Sequence, residues 1–297
     1  MQNYQIDKNK ILVLTETVKD ADPMFNAWLD AGLNADVLFA PVKSKIGRAI
    51  RRLWLNGVLP GANVWYNNWK NNIANYDTVI VHASELTRTI PRWIRAQKPD
   101  MRIIYWYWNP VNEKSLPQLI DDEKTEIWSF DSDDCMKYGM QQNIQYYYDS
   151  KEQESNIEYD VYFVGHDKGR KEQLDKLEKI FKDNNITYRF DIIGDNEPNI
   201  PYGEIRNRIS KSKAILEINQ SGQIGCTLRA LEALFFQKKL LTTNSAVKNE
   251  EFYNENNVFI IDEEMEDIDR FLNLPFEDTK ELKKKHDVDA WIMNFMN

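Results

Sequence analysis

An α/β protein with parallel sheets in two domains is what this sequence predicts, and three observations predict it. Short apolar runs such as Ile11-Leu12-Val13-Leu14 and Thr78-Val79-Ile80-Val81 alternate with segments whose apolar residues recur at helical spacing. The same alternation starts again at Tyr159, after the polar, strand-poor stretch from Asp149 to Glu158. The chain of 297 residues is long enough for two domains of ordinary size. The expected division is 1–150, 151–279 and a terminal helical segment, 280–297.

Composition narrows the function classes. Hydrophobic residues make up 42% of the chain and aromatic residues 12%, enough for packed cores rather than disorder. A net charge of −9 argues against nucleic acid as a general partner. Cys135 and Cys226 stand far apart outside any ligand motif, which points to a reducing compartment and no zinc site. The polar start MQNYQIDKNK lacks the apolar core of a signal peptide, and no apolar run approaches the roughly 20 residues that span a bilayer. The expectation is a soluble, cytoplasmic protein.

In the first half, Ile11 to Leu14 reads as a buried parallel strand, followed by a helix over Asp22 to Ala31 with Phe25, Trp28 and Leu29 on one side. Further strands are expected at Val37 to Phe39, Thr78 to Val81, Arg102 to Trp106, Glu126 to Trp128 and Ile144 to Tyr148. Such alternation implies right-handed crossovers, and ligands of such sheets sit beyond the carboxyl ends of the strands. That rule selects Thr15-Glu16-Thr17, His82 to Glu85, and Asn109. His82 and Glu85 are candidate general bases, with a structural histidine and a helix-starting glutamate as the plainer alternative.

Ser129 to Asp134, SFDSDD, contains a D-x-D look-alike of a divalent-metal site, but Asp131 with Asp134 also makes an ordinary helix start, and that capping reading is favoured. Eight of the nine tryptophans precede residue 130. Aromatic faces suit sugar rings, although most large aromatics are core filler. Trp65 and Trp69 lie in the polar context NVWYNNWKNN and are the best acceptor-binding candidates. Pro41 to Gly57 carries Lys43, Lys45, Arg48, Arg51 and Arg52 and no acid, with Ile46, Ile50, Leu53 and Trp54 at helical spacing. This helix either rests on an anionic membrane surface or packs on the core with its charges facing solvent or the phosphate of an acceptor.

In the second half, Tyr159 to Val164 is a strand running into the turn Gly165-His166-Asp167-Lys168-Gly169-Arg170. A helix with Leu174, Leu177, Ile180 and Phe181 on one stripe follows. Strand, glycine turn and helix start form a weak anion-site motif beside Lys168 and Arg170, without the ending of a P-loop. Strands are expected at Tyr188 to Gly194, Ala214 to Ile218 and Leu240 to Thr243, and Val288, Trp291, Ile292 and Phe295 mark an amphipathic terminal helix.

The chain is organised around INQSGQIGCTLRALEALFFQKKLLTTN, Ile218 to Asn244. A small-residue loop ending in Gly225 and Cys226 leads to Thr227, a helix cap, and to a helix with Leu228, Leu231, Leu234 and Phe235 buried, closed by Lys238 and Lys239. Loop and helix start are a second anion site. Arg229 and Glu232, three apart, share a face: a guanidinium can fork onto phosphate and a carboxylate can accept ribose hydroxyls, or the two form an ion pair on a solvated face.

LRALEALFFQKKLLTTN resembles the R-x-x-E segment of GT-B glycosyltransferases of lipopolysaccharide-core and capsule synthesis. The resemblance covers Tyr159 to Ile261 in order and spacing. It implies a GT-B-like fold, two Rossmann-like domains facing a central cleft, with the terminal helix crossing back to the first domain. It also implies that Glu232 holds the donor ribose and that Gly225, Cys226, Thr227 and Arg229 hold the pyrophosphate. Gly165, His166, Lys168 and Arg170 would stand beside them, with Gly194, Asp195 and Tyr202 towards the base. Many retaining members carry a second glutamate where Ile224 stands, so the resemblance assigns no stereochemistry.

The function expected is transfer of a sugar from a nucleoside-diphosphate sugar to a surface glycan or lipid-linked glycan acceptor, without cofactor or metal. The enzyme would be cytoplasmic or peripheral on the inner face of the membrane. A nucleotide-sugar epimerase of the same fold, or a non-catalytic nucleotide or glycan binder, are the alternatives.

Overall fold

The computed structural model describes residues 7–16, 23–55, 59, 64–148, 155–194, 197–219, 227–261, 265 and 267–296. The chain divides into two compact units, Met1–Ile144 with Ile292–Asn297, and Gln145–Trp291. Of the polar stretch Asp149 to Glu158 that separates the two α/β halves of the sequence, residues 149–154 lie outside the described residues.

In chain order the first unit contains β1 (Ile11–Thr15), α1 (Pro23–Asp30), β2 (Asn34–Val37), α2 (Lys45–Leu55), α3 (Trp69–Asn72), β3 (Thr78–His82), α4 (Ile90–Gln97), β4 (Arg102–Tyr107), β5 (Glu126–Ser129), α5 (Ser132–Tyr138) and β6 (Gln141–Gln142). The six strands form one parallel sheet in the order β2-β1-β3-β4-β5-β6. Leu14 lies opposite Val81, and Val81 opposite Tyr105, so the apolar runs stack as one buried layer. Two strands differ from the sequence expectation. The second strand is Asn34–Val37, a half-buried edge strand without an apolar run, and Leu38 and Phe39 follow it as core residues. The sixth is the exposed pair Gln141–Gln142. The expected strand from Ile144 to Tyr148 is not one: Tyr146 stacks on Trp291 at 4.3 Å and Tyr147 packs on Phe235 at 5.0 Å.

The second unit contains β7 (Tyr159–His166), α6 (Lys171–Asp183), β8 (Tyr188–Ile193), α7 (Tyr202–Ser210), β9 (Ser212–Glu217), α8 (Leu228–Phe235), β10 (Lys239–Thr242), β11 (Val258–Ile260), α9 (Ile268–Asn273) and α10 (Lys280–Lys283). The unit boundary falls within α11 (Val288–Asn294). Its five parallel strands run in the order β11-β10-β9-β7-β8. Leu174, Leu177 and Phe181 of α6 enter a core shared with Val161, Phe163, Leu216 and Leu241 of the sheet.

The helix α8 stops at Phe235, before the two lysines expected to close it. Gln237 turns the chain at φ 52, Lys238 donates to Ser210 O at the end of α7, and Lys239 opens β10 with its ammonium buried against the carbonyls of Asn256 and Phe271. No helix among the described residues is long and apolar enough to cross a membrane.

Candidate functional site

Strand order fixes where a ligand of each sheet can sit. In the second unit, β7 and β9 are neighbours whose outward connections run in opposite directions, a switch point with a crevice beyond the strand ends. The sequence delivers four groups there: Gly165 and His166 end β7, Arg170 precedes α6, Glu217 ends β9, and Thr227 and Arg229 open α8.

Glu217 is a buried carboxylate 1% exposed. It accepts from the Thr227 amide at 3.1 Å and hydroxyl at 2.5 Å through Oε1, and from Thr242 Oγ1 at 2.5 Å through Oε2. Burial raises its pKa, which these hydrogen bonds and Arg229 oppose. The same Thr227 oxygen accepts from the Arg229 amide at 3.1 Å and caps α8. Glu217 therefore ties the end of a central strand to the first turn of the helix. Sequence reasoning passed over it; the signal was a carboxylate inside the apolar run Ala214 to Ile218.

Arg229 and Glu232 are paired, and not on a solvated face. Arg229 Nη1 donates to Glu232 Oε2, and the glutamate is fully buried while the arginine side chain keeps 21% exposure. Oε1 of the same carboxylate accepts from Tyr202 Oη at 2.8 Å, and Tyr202 bonds in turn to the hydroxyl of Tyr147. Burial raises the Glu232 pKa, against the pull of Arg229 and Tyr202. Tyr202 thus orients Glu232, and both oxygens of the glutamate are engaged within the fold.

The turn after β7 brings up a second guanidinium. Lys168 and Gly169 both adopt positive φ, 43 and 81, which reverses the chain within two residues, and Asp167 Oδ1 accepts from the Lys171 amide at 3.0 Å to start α6. Gly165 leaves room for Arg170: a Cβ at 165 would lie 3.2 Å from Arg170 Nη1. The Arg170 Nε is buried with no hydrogen-bond partner among the described residues. Burial, and then the positive charge of Arg229, push the Arg170 pKa below its ordinary value. Two guanidinium groups are therefore held within electrostatic reach at one switch point, one of them short of a partner.

The remaining candidates scatter around this centre. Lys168 is exposed, His166 Nε2 pairs with Asn199 Oδ1 at 3.0 Å, and the Gly194 amide donates to Glu197 Oε2 at 3.1 Å. Asp195, Gly225 and Cys226 lie outside the described residues.

In the first unit the switch point lies between β1 and β3. Glu16, just past β1, accepts from the Ser84 hydroxyl in the loop after β3. Burial raises its pKa and so does Glu85, while Ser84 and Arg51 oppose the rise. His82 is a correction to the general-base expectation. Its ring lies edge-on to Trp28 at 4.9 Å and stacks with Trp108 at 6.4 Å, its Nε2 is buried without a hydrogen-bond partner among the described residues, and burial pushes its pKa down to about 3. A base that weak is poorly matched to neutral pH. Glu85 stands 3.9 Å from Lys114 Nζ in an accessible pair.

Trp69 is also a correction: it is 2% exposed, donates its Nε1 to Leu38 O at 2.9 Å, and packs against Tyr66 and Trp93. A ring so placed is core, not a platform for a sugar. Trp65 is half-buried at the edge of the same core, and Asn109 is exposed just beyond β4. Asp131 caps α5, accepting from the amides of Asp133 and Asp134 at 3.0 Å each, as the capping reading of SFDSDD requires. Among the described residues no group of three His, Cys, Asp or Glu side chains is placed to hold a metal ion.

No protein-family model and no curated protein matches the sequence. Solved structures do. A DNA-modifying β-glucosyltransferase, determined with and without its substrate uridine diphosphoglucose, aligns at 15% identity over 93% of this chain and 91% of its own, with a TM-score of 0.50. A Listeria monocytogenes protein provisionally named a UDP-N-acetylglucosamine 2-epimerase aligns at 11% identity over 93% and 86%, TM-score 0.45. The glycosyltransferase of kitacinnamycin aligns at 11% over 96% and 97%, TM-score 0.41. At such identities the likeness is one of fold. Two parallel α/β sheets, of six and five strands, give this chain a GT-B-like fold.

Proposed function

We propose that the chain is a glycosyltransferase that takes its sugar from a nucleoside diphosphate. The observation that carries this reading is the pair Arg170 and Arg229 at the β7/β9 switch point, with a buried Nε on Arg170 that finds no partner among the described residues. Two cations so placed favour a doubly charged oxyanion, and the first turn of α8 adds its positive end. The β-glucosyltransferase of like fold uses uridine diphosphoglucose, which supports a nucleotide sugar as the donor class.

In the proposed reaction an acceptor hydroxyl attacks the anomeric carbon, the bond to the diphosphate oxygen breaks, and charge grows on the departing diphosphate. Arg170 and Arg229, aided by Lys168, stabilise that charge from fixed positions, and no metal is assigned a part. Glu232 orients Arg229, and Tyr202 holds Glu232 in place. Glu16, a half-buried carboxylate held by the Ser84 hydroxyl just past β1, is assigned as the base that takes the acceptor proton. The resemblance of the R-x-x-E segment supports a surface or lipid-linked glycan as acceptor, with Trp65 and Asn109 assigned to it.

The test is a panel of nucleotide sugars, incubated with and without glycan acceptors and followed by mass spectrometry. The expected result is a donor-dependent product that contains the acceptor, with slow donor hydrolysis when acceptor is withheld. Interconversion of two nucleotide sugars without acceptor would instead make the chain an epimerase, and binding without turnover would make it a non-catalytic relative.

A further inference from the structure

The helix α2 is amphipathic, and its apolar stripe points the wrong way for a core helix. Ile46 is 75% exposed, Ile50 42% and Leu53 44%. At about 100° per residue these three and Ala49 share one side of the helix. The inward side is made by other residues: Leu55 is buried, Trp54 at the stripe's margin meets Tyr66 at 5.3 Å, and Arg51 lies over the Phe39 ring at 5.3 Å while donating to Ala40 O. The core is therefore served without the stripe.

Beside the stripe runs a row of cations. Lys45, Arg48 and Arg52 are exposed, with Lys43 just ahead, and Pro41 to Gly57 holds no acid. Among the described residues none of the four forms an ion pair; Arg48 reaches only the backbone carbonyls of Val42 and Lys43. Arg48, Arg51, Arg52, Leu53, Leu55 and Leu86 also line a groove of about 640 Å³, so guanidinium and leucine surfaces alternate there too.

We propose that α2 docks the protein on an anionic lipid surface. On a chain of net charge −9, an isolated cationic row selects an anionic partner. Exposed isoleucine and leucine beside that row select a partner with an apolar layer directly below its charged one. A bilayer supplies both at the depth an interfacial helix reaches; a nucleic-acid backbone supplies only charge. The inference does not rest on the donor site, which belongs to the other unit.

The experiment is co-sedimentation of the full chain, without nucleotide, with phosphatidylcholine vesicles that contain or lack phosphatidylglycerol, at low and high salt. Binding is expected to the anionic vesicles only, and to fall with salt. At about fivefold per cation, Arg48→Gln with Arg52→Gln should lower the partition coefficient about 25-fold. Ile46→Ser with Leu53→Ser leaves the charge unchanged and should also weaken binding severalfold. All four positions are exposed, so nucleoside-diphosphate binding by both variants should match the parent chain. Absence of binding to anionic vesicles overturns the proposal, as does binding that either pair of substitutions leaves unchanged. Retention of duplex DNA, without vesicle binding, would assign the cations to nucleic acid instead.

Discussion

Tyr202 shows how a side chain of plain packing type can govern a charged site. Its hydroxyl spans Tyr147 and Glu232, and Glu232 in turn holds Arg229. Tyr202→Phe should cost about 1.5–3 kcal/mol, the range for a hydrogen bond to a charged group. Urea denaturation would measure it, and an unchanged midpoint would show that the bridge contributes nothing. His82 sets a different expectation. Above its ordinary pKa of 6.5 the folded and unfolded chains both carry it neutral, and stability is undiminished. As pH falls, the unfolded chain binds a proton that the folded one refuses until about 3, so His82 lowers stability progressively across that window. His82→Phe keeps a ring between Trp28 and Trp108 and should flatten this part of the profile of urea midpoint against pH; an unaltered slope would contradict the burial argument. The sequence pointed to both residues but not to their tasks. Burial of Glu232, and the aromatic walls around His82, depend on residues distant in the chain, which spacing cannot report. Glu16 and Glu217 illustrate the same limit, since only their partners Ser84, Thr227 and Thr242 distinguish them from other acids at strand ends.

At the level of elements, local chemistry was most legible where it closes within a few residues. Asp131 caps α5 through two amides and is 8% exposed. Asp131→Ala should destabilise the first unit by about 0.5–2 kcal/mol, the usual cost of losing such a cap, as read by thermal or urea unfolding. No loss would mean that the 3.0 Å bonds to Asp133 and Asp134 are dispensable. Elements whose reason is tertiary were less legible. Asn34–Val37 pairs with β1 as an edge strand although its sequence, NADV, has no apolar run. Ile144 to Tyr148 has the composition of a strand, yet its tyrosines satisfy themselves by ring packing on Trp291 and Phe235. For α2, periodicity identified an apolar stripe but carried no information about which side the core would occupy; Trp54, at the stripe's margin, turned out to be the inward residue.

For the whole molecule, parallel strands buried on both faces produce the apolar runs that made the α/β class readable, and strand order then locates the switch points at which ligands collect. In the second unit that point coincides with Gly165, Arg170, Thr227 and Arg229, residues that sequence spacing had placed at two separate helix starts. What spacing could not show is that the two guanidinium groups are near enough to repel, a consequence of β7 lying next to β9. Donor binding at this pair is most directly tested by calorimetric titration of nucleoside diphosphates, and of the matching nucleosides, into the parent chain and Arg170→Ala. The prediction is that the parent chain binds a diphosphate, that Arg170→Ala loses about 1.5–3 kcal/mol of that affinity, and that nucleoside binding is nearly unchanged. A parent chain that binds no nucleoside diphosphate, or a variant that loses diphosphate and nucleoside affinity equally, would contradict the assignment of Arg170 and Arg229 to the donor phosphates.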